Sequence, residues 1–296
     1  MKKIAYLTMS DMGDFVTDFH LSIPPMAALG WQVETVPWRS EVDWDRFDAV
    51  YICTPWDYPE HAEQFLDVLA QIDASRALLI NDLALVHWTL EKTYLRDVEN
   101  GGSDIVPSTW YDGFESADTS RLFAEHQTDR IVIKPTVGAN AADTFVLTDP
   151  VSDAELDMLR ETFARRAFLV QPFIENIRTE GEFSLFFFHG EYSHAIQKTP
   201  KAGDFRVQEE HGADIRPVQP TAALMATARK LFAAIEPLPT YGRGDWVRGA
   251  DGRYLLMELE LIEPSLYLRT DRGAAARFAR ALDERFQVST RKRAAG

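Results

Sequence analysis

YGRGDWVRGADGRYLLMELELIEPS (241–265) reads as a β-hairpin, with GADG (249–252) as its turn and apolar-rich strands on either side. With those four residues as the loop, Arg243 faces Glu258, Tyr241 faces Glu260 and Asp245 faces Leu256. Side chains alternate faces along a strand, and paired residues share a face. Arg243, Asp245, Glu258 and Glu260 are therefore expected on one face. Trp246, Leu255, Met257 and Leu259 are expected on the other, the natural core face. Three carboxylates on one face repel one another, so positive charge belongs among them. Arg243 supplies one charge; hard divalent cations held by carboxylate oxygens would supply more, and Mg²⁺ also takes phosphate oxygens from a substrate. A half-solvated hairpin with an acidic outer face is the plainer alternative, and the hairpin alone does not separate the two.

Upstream, Lys134 ends the run IVIKP (131–135), directly after three β-branched residues, so a strand end carries it. The following TVGANAADT (136–144) has small side chains that let its backbone approach a ligand, and its amides could cradle phosphate oxygens; an ordinary turn would look the same. Lys92 lies in INDLALVHWTLEKTYL (80–95), read as a helix that Asn81 caps. Gln171 to Ile174 end an apolar strand, and Pro172 implies one unpaired backbone edge, on which a flat heterocycle could dock. A buried core strand reads identically.

The chain has 296 residues, 46% hydrophobic and 26% charged, which suits two or three packed units of a soluble globular enzyme. No apolar run approaches the length of a membrane span, and the start MKKIAYLTMSD reads as a first strand rather than a signal peptide. Cys53 is the only cysteine, which excludes an intramolecular disulfide and a multi-cysteine zinc site and fits a reducing cytoplasm. The formal net charge of −15 disfavours nucleic acid as a partner, while leaving room for a nucleotide held by local cations and Mg²⁺.

IAYLT (4–8), QVETV (32–36), AVYIC (49–53) and ALLIN (77–81), with helical patterns at 60–72 and 83–98, predict an open parallel α/β domain. It lacks G-x-G-x-x-G, so a dinucleotide site is poorly supported. Beyond Gly101–Gly102 the pattern turns to α+β. Helices are read at 115–126, 152–166, 221–236 and 273–286, and strands at 131–135, 144–148, 167–174, 183–188 and 191–198. His189–Gly190 is a hairpin turn between the last two strands. RKRAAG at the end reads as a frayed tail.

Taken in order, these segments resemble the ATP-grasp superfamily of carboxylate–amine ligases across residues 80–270: Asn81 and Lys92, Pro107, Lys134 with its glycine loop, QPFI, Gly181–Glu182, Arg206, Asp245 and the E-L-E at 258–260. Residues 171–206 are most similar to bacterial glutathione synthetases. TPWDYPE (54–60) and HWTLEKTYL (87–95) look more like ATP-grasp ligases related to the cyclo-ligase of cycloserine biosynthesis. The resemblance implies an open α/β domain (1–98), two α+β ATP-grasp subdomains (99–172 and 173–288) and a tail (289–296). It implies that Lys92 and Lys134 meet the nucleotide phosphates, with Gly138, Ala139 and Asn140 in the covering loop. Gln171, Phe173 and Ile174 would meet adenine, and Glu182 the ribose. Asp245, Glu258 and Glu260 would be metal ligands, for two Mg²⁺ ions or Mn²⁺ in their place. The last is commonly Asn in the family, so Glu260 adds negative charge. Arg206 and Arg243 match arginines that stabilise the transferred phosphate, and Lys198 is a further candidate.

The expected chemistry is activation of a small carboxylate, an amino acid or peptide-like molecule, as an acyl phosphate, followed by attack of an amine to give an amide or a ring. The loop 136–144 and segment 200–212 are the natural lids. Substrate contacts are expected from Ser10, Asp11, Trp56, Asp57 and Tyr58, which follow strands 1 and 3, and from Ser265; Trp56 and Tyr58 could equally be interdomain packing. His194 reads as a packed histidine. A phosphotransferase without ligation would share every nucleotide residue, and an ATP-binding module without catalysis would keep the fold; the intact acidic hairpin and both lysines disfavour the second. Related ligases often pair, so a homodimer is compatible.

Overall fold

The computed structural model describes residues 1–114 and 119–295, without the side chains of 292–295. Strands β1 (Lys2–Thr8), β2 (Trp31–Pro37), β3 (Ala49–Thr54) and β4 (Leu78–Ile80) form a parallel sheet in the order β2-β1-β3-β4. Strand β3 is buried throughout, as its unbroken apolar run implies. Ile4 and Tyr6 face α1 (Ile23–Ala28) through Met26, whereas Ala5 and Leu7 face α2 (Ala62–Ala74). Phe65, Leu69 and Ile72 form the buried stripe of α2, at helical spacing.

The expected single helix at 83–98 is two: α3 (Leu83–Thr89) and α4 (Tyr94–Asn100). Lys92 sits in the turn between them, its amide bonded to the Thr136 carbonyl at 2.8 Å, so it is not a helical lysine. Nor does Asn81 cap α3, whose N-cap position is Asp82. The buried Asn81 amide instead donates to the carbonyls of Tyr241 and Leu261, both at 2.8 Å, and its oxygen accepts from Thr240 N at 2.7 Å. These are backbone groups at strand ends that burial would otherwise leave unpaired.

The second sheet is antiparallel: β5 (Thr109–Tyr111), β6 (Arg130–Pro135), β7 (Phe145–Thr148) and β8 (Phe168–Pro172), ordered β5-β8-β6-β7. Helices α5 (Thr119–His126) and α6 (Asp153–Phe163) cover one face around Ile131, Ile133 and Phe168. Residues 115–118 of the helix expected at 115–126 lie outside the described residues. Helix α6 starts with a capping box, in which Ser152 accepts from the Glu155 amide at 3.3 Å and Glu155 accepts from the Ser152 amide at 2.9 Å.

After the short α7 (Asn176–Thr179), strands β9 (Glu182–Phe188), β10 (Glu191–Thr199), β11 (Asp214–Pro217), β12 (Tyr241–Arg248) and β13 (Tyr254–Glu260) make a five-stranded antiparallel sheet, β11-β10-β9-β12-β13. Helix α8 (Ala222–Ala233) packs on one face with α4. Helix α9 (Ala274–Ala295) packs on the other, where Phe278 and Leu282 share a core with Ile4, Tyr51, Phe186 and Tyr241 and so weld the first sheet to this one. The basic end, expected to fray, continues α9 to Ala295.

The β12–β13 register differs from the expected one. Arg243 pairs with Glu260 and Asp245 with Glu258, while Trp246 pairs with Leu256, so Met257 is an extra residue in a bulge. Tyr241 lies beyond this pairing, opposite Phe188 of β9. A bulge re-aims the strand that carries it. The four charged residues still share a face. Leu255 and Met257, however, leave Trp246 and Leu259 and join Val247 in a separate apolar cluster.

His194 of β10 is buried, stacked on Phe186 at 4.2 Å, with Nε2 2.9 Å from the Leu266 carbonyl. Burial pushes its pKa from 6.5 down to about 4. Below pH 6.5 the unfolded chain takes up a proton that the folded ring refuses until about pH 4, so stability falls across that window. The expected loss is about 3 kcal/mol. Urea melts of the wild type and His194→Gln at pH 7 and pH 4.5 should show the wild type losing its advantage; parallel curves would assign the acid loss elsewhere. Among the described residues, no helix is long and apolar enough to cross a membrane.

Candidate active site

Four strands of the large sheet aim charged side chains at one face. Register places Lys198 opposite Glu182, Ser184 opposite Asp245, Asp245 opposite Glu258, and Arg243 opposite Glu260. Burial forces these groups to neutralise one another. Lys198 Nζ lies 2.6 Å from Glu182 and 3.6 Å from Asp245. Arg243 grips Asp245 through Nε and Nη2 at 3.0–3.1 Å, contacts Glu260, and donates to the Ser265 carbonyl at 3.1 Å. Ser184 donates to Asp245 at 2.5 Å. Lys92 meets Glu258 at 3.0 Å and the Gly138 carbonyl at 2.8 Å.

Burial opposes ionisation of Asp245, but Arg243 and Lys198 outweigh it and hold the carboxyl below its ordinary range. Lys92 and Lys134 do the same for Glu258. Glu260 is pushed up to about 7 by burial, with Asp245 and Glu258 offsetting Arg243.

The second sheet roofs this row. Alternation along β6 sends Ile131 and Ile133 to that sheet's own core, and Val132 and Lys134 to the cavity. Lys134 is 9% exposed, and among the described residues its ammonium has no hydrogen bond or ion pair; burial lowers its pKa against the pull of Glu258. The loop after it holds Asn140, Ala141 and Asp143 at φ 55°, 54° and 52°. A Cβ on Gly138 would meet Pro135 Cγ at 2.9 Å. The amides of Gly138 to Ala141 donate to no group among the described residues, which suits them to an anion. At the far end, Val106, Phe173, Val207 and Val247 enclose an apolar slot with Ile174 and Met257 at its edge. Gln171 anchors that edge by donating to Ser108 at 2.8 Å.

One cavity of about 210 Å³ joins these parts. Lys92, Lys134, Gly138, Ala139, Asn140, Gln171, Phe173, Ile174, Glu182, Lys198, Arg206, Arg243, Asp245, Glu258, Glu260, Trp56, Tyr58 and Ser265 all line it. Arg206 reaches only its wall, held by Asp204 at 2.9 Å rather than by the carboxylate row. Ser10, Asp11 and Asp57 do not line it. Ser10 and Asp11 are exposed, with Asp11 accepting from the Gly13 amide, and Asp57 is taken by Trp38 at 2.6 Å and Arg39 at 3.2 Å.

Sequence reasoning missed Glu263 and Tyr267, which complete the wall beyond β13. Glu263 is buried and is pushed up to about 8 by burial and then by Glu260. Its one sequence signal was a carboxylate set before Pro264–Ser265, where an apolar residue would have continued the core.

Asp245, Glu258 and Glu260 are hard oxygen donors of the kind Mg²⁺ takes, and they share the cavity with Lys134, so the donor set fits that ion. Among the described residues no three His, Cys, Asp or Glu side chains already converge on one point, because each of these carboxylates is turned to a basic partner.

Comparisons with known proteins agree with this architecture. Residues 4–81 match the family model described as the N-terminal domain of D-cycloserine synthetase DcsG, and residues 103–240 match the ATP-grasp domain of prokaryotic glutathione synthetase. The cycloserine biosynthesis protein DcsG of Streptomyces lavendulae is 33% identical over 285 residues, covering 90% of this chain and 94% of that protein. The crystal structure of D-cycloserine synthetase DcsG superposes with a TM-score of 0.86 at 29% identity, covering 96% of this chain and 99% of that one. D-alanine–D-alanine ligase from Bacillus anthracis, complexed with ATP, shares the fold at 15% identity, with a TM-score of 0.67 and 99% of each chain covered. This chain therefore belongs to the ATP-grasp family and is an ATP-dependent carbon–nitrogen ligase.

Proposed function

We propose that the chain activates the carboxylate of a small molecule with Mg-ATP and that a nitrogen of the same molecule closes a ring on the activated carbon. The carboxylate oxygen attacks the γ-phosphorus and ADP leaves; the nitrogen then attacks the acyl carbon, loses its proton, and phosphate leaves. The observation that carries the reading is Lys134, a buried lysine whose ammonium has no hydrogen bond or ion pair among the described residues and which lines a cavity whose opposite wall is a row of carboxylates. Ring closure rather than joining of two molecules is supported by the relative, a cycloserine biosynthesis protein, and by the match of residues 4–81, which supply Trp56 and Tyr58 to the cavity.

In this reading adenine enters the apolar slot against Gln171, Phe173 and Ile174, and Glu182 takes the ribose. The free amides of 138–141 and the lysines Lys92 and Lys134 hold the phosphates as point charges able to follow the moving phosphoryl group. Asp245, Glu258 and Glu260 would hold Mg²⁺, which when bound neutralises phosphate charge. Arg243, at the head of the carboxylate row, faces the acyl phosphate, and Arg206 and Lys198 add charge around it. The loop 136–144 excludes water from the intermediate. Residues 1–98 form the substrate side, with ATP-grasp subdomains at 99–172 and 173–288.

The test is ADP release with Mg-ATP against a panel of amino acids and small peptides, with and without added amine, with products identified by mass. ADP together with a cyclised product from a single compound supports the proposal. ADP that requires a second amine assigns intermolecular ligation instead.

A further inference from the structure

Residues 200–213 join β10 to β11, and Arg206, Val207, Gln208 and Glu210 of this segment wall one side of the cavity. Among the described residues, its backbone–backbone hydrogen bonds stay within it, as from Asp204 N to the Lys201 carbonyl and from Gly212 N to the Glu209 carbonyl. A loop without ladder bonds to its surroundings opens at little cost unless side chains tie it down. Three ties are present. Val207 is buried in the apolar slot with Phe173 and Val247. Glu210 accepts from the Val16 amide, in the loop after β1, at 3.3 Å. Glu209 pairs with Arg269, which lies past β13 in the 3-10 helix Leu268–Thr270.

Arg269 is the hub of the last tie. Its backbone amide and Nη1 donate to Asp18 at 3.0 and 3.3 Å, and its guanidinium lies over the Tyr267 ring at 4.9 Å. Asp18 is 5% exposed, so the arginine is anchored firmly at that end, whereas the pair with Glu209 is open to solvent. One side chain thus bridges the loop after β1, the wall beyond β13 and the segment over the cavity. None of Asp18, Glu209 and Arg269 lines the cavity itself. An exposed ion pair contributes little to global stability, but a segment with so few other ties feels its loss directly.

We infer that Arg269 is a positioning residue that fastens residues 200–213 onto the cavity and thereby shields the acyl phosphate from water. The inference rests on the acyl-phosphate reading above and adds the device that keeps the intermediate productive. When the segment lifts, a water oxygen bonds to the acyl carbon and the bond from that carbon to the phosphate oxygen breaks. Phosphate leaves, a proton is released, and the starting carboxylate is regenerated. Each such event converts ATP to ADP without forming a carbon–nitrogen bond. Loss of the tie therefore shows as uncoupling rather than as a lower rate alone.

The test measures ADP and ligated product together, with the compound that the panel above identifies, for the whole enzyme and for Glu209→Gln, Arg269→Met and Arg269→Lys. Trypsin cleavage after Lys201, followed by mass without substrate, reports separately how readily the segment opens. The wild type is expected to release ADP and product one-to-one. Glu209→Gln leaves the Asp18–Arg269 contact in place; it should raise ADP per product up to about 5-fold and speed cleavage by a similar factor, with an unchanged urea midpoint. Arg269→Met should uncouple further, and Arg269→Lys, which can keep one ion pair but not both, should fall between wild type and Arg269→Met. Added NaCl should raise the wild-type ratio and leave that of Glu209→Gln where it is. A purely structural role would lower the amount of folded enzyme and leave the ratio one-to-one. Variants that stay one-to-one while the wild type is coupled overturn this inference alone, as does uncoupling without faster cleavage after Lys201. A wild type that releases ADP but never yields product overturns the acyl-phosphate reading, and this inference falls with it.

Discussion

A Lys134→Met enzyme should fold at least as stably as the wild type and turn over about 10³-fold more slowly or worse. The two halves of that result come from one fact. Lys134 is buried at the end of β6 with no partner among the described residues, and burial already disfavours its charged form. Without nucleotide the ammonium is an unpaired charge taken out of water, which costs stability; a methionine of similar length fills the same volume without that cost. In the proposed reading the ammonium would face the nucleotide phosphates from the roof, and Lys92 would face them from the turn between α3 and α4; both line the cavity. Losing one of two fixed cations removes charge stabilisation that matters most as the phosphoryl group moves, so kcat should fall further than nucleotide affinity. Thermal melts with and without Mg-ATP, alongside steady-state ADP release, separate these effects. ATP should raise the melting temperature of the wild type clearly and that of the variant much less. Normal turnover by the variant would sink the assignment of Lys134 to the phosphates.

Lys134 was legible in the sequence because strand alternation is local. Three β-branched residues before it define a strand, and parity then separates it from Ile131 and Ile133. The acidic face of β12 and β13 was legible for the same reason. The register was not, because LLMELEL carries no mark of the extra residue at Met257, and the bulge depends on how both strands sit against β9 and the apolar slot. Loops were read least well. Asp57 follows a parallel strand, where ligands commonly bind, yet Trp38 and Arg39 claim it from 19 and 18 residues away in the chain. Asn81 has the side chain of a helix cap, but strand ends more than 150 residues away offered it three bonds. Glu263 and Tyr267 lie past the end of β13, where no periodicity remains to say which way a side chain points.

The second large effect is expected at Arg243. The residue is 8% exposed, and its guanidinium serves Asp245 through two nitrogens, Glu260 through one of these, and the Ser265 carbonyl through the third. Arg243→Met keeps the stem and removes the cation, leaving buried Asp245 and half-buried Glu260 against Glu258 with only Lys198 and Lys92 nearby. Breaking a buried pair from one side costs about 3–5 kcal/mol, and here one arginine serves two acids. Glu260 makes the dependence sharper than it would be with the family's usual Asn, since a neutral amide would not need the guanidinium. The same freed carboxylates are those proposed to hold Mg²⁺. In the wild type they are already neutralised, so Mg²⁺ without nucleotide should change the urea midpoint little. In the variant Mg²⁺ alone should restore a measurable part of the lost stability, because a divalent ion can stand where the guanidinium stood. Turnover should stay low even with the fold restored: nucleotide would still be held by Lys92 and Lys134, but the charge proposed to face the acyl phosphate is gone, so kcat should fall while KM for ATP changes little. Urea melts of both proteins with and without Mg²⁺ decide the structural half. A variant as stable as the wild type, or one indifferent to Mg²⁺, would mean that Asp245 and Glu260 do not depend on Arg243 and are not poised to exchange it for a metal.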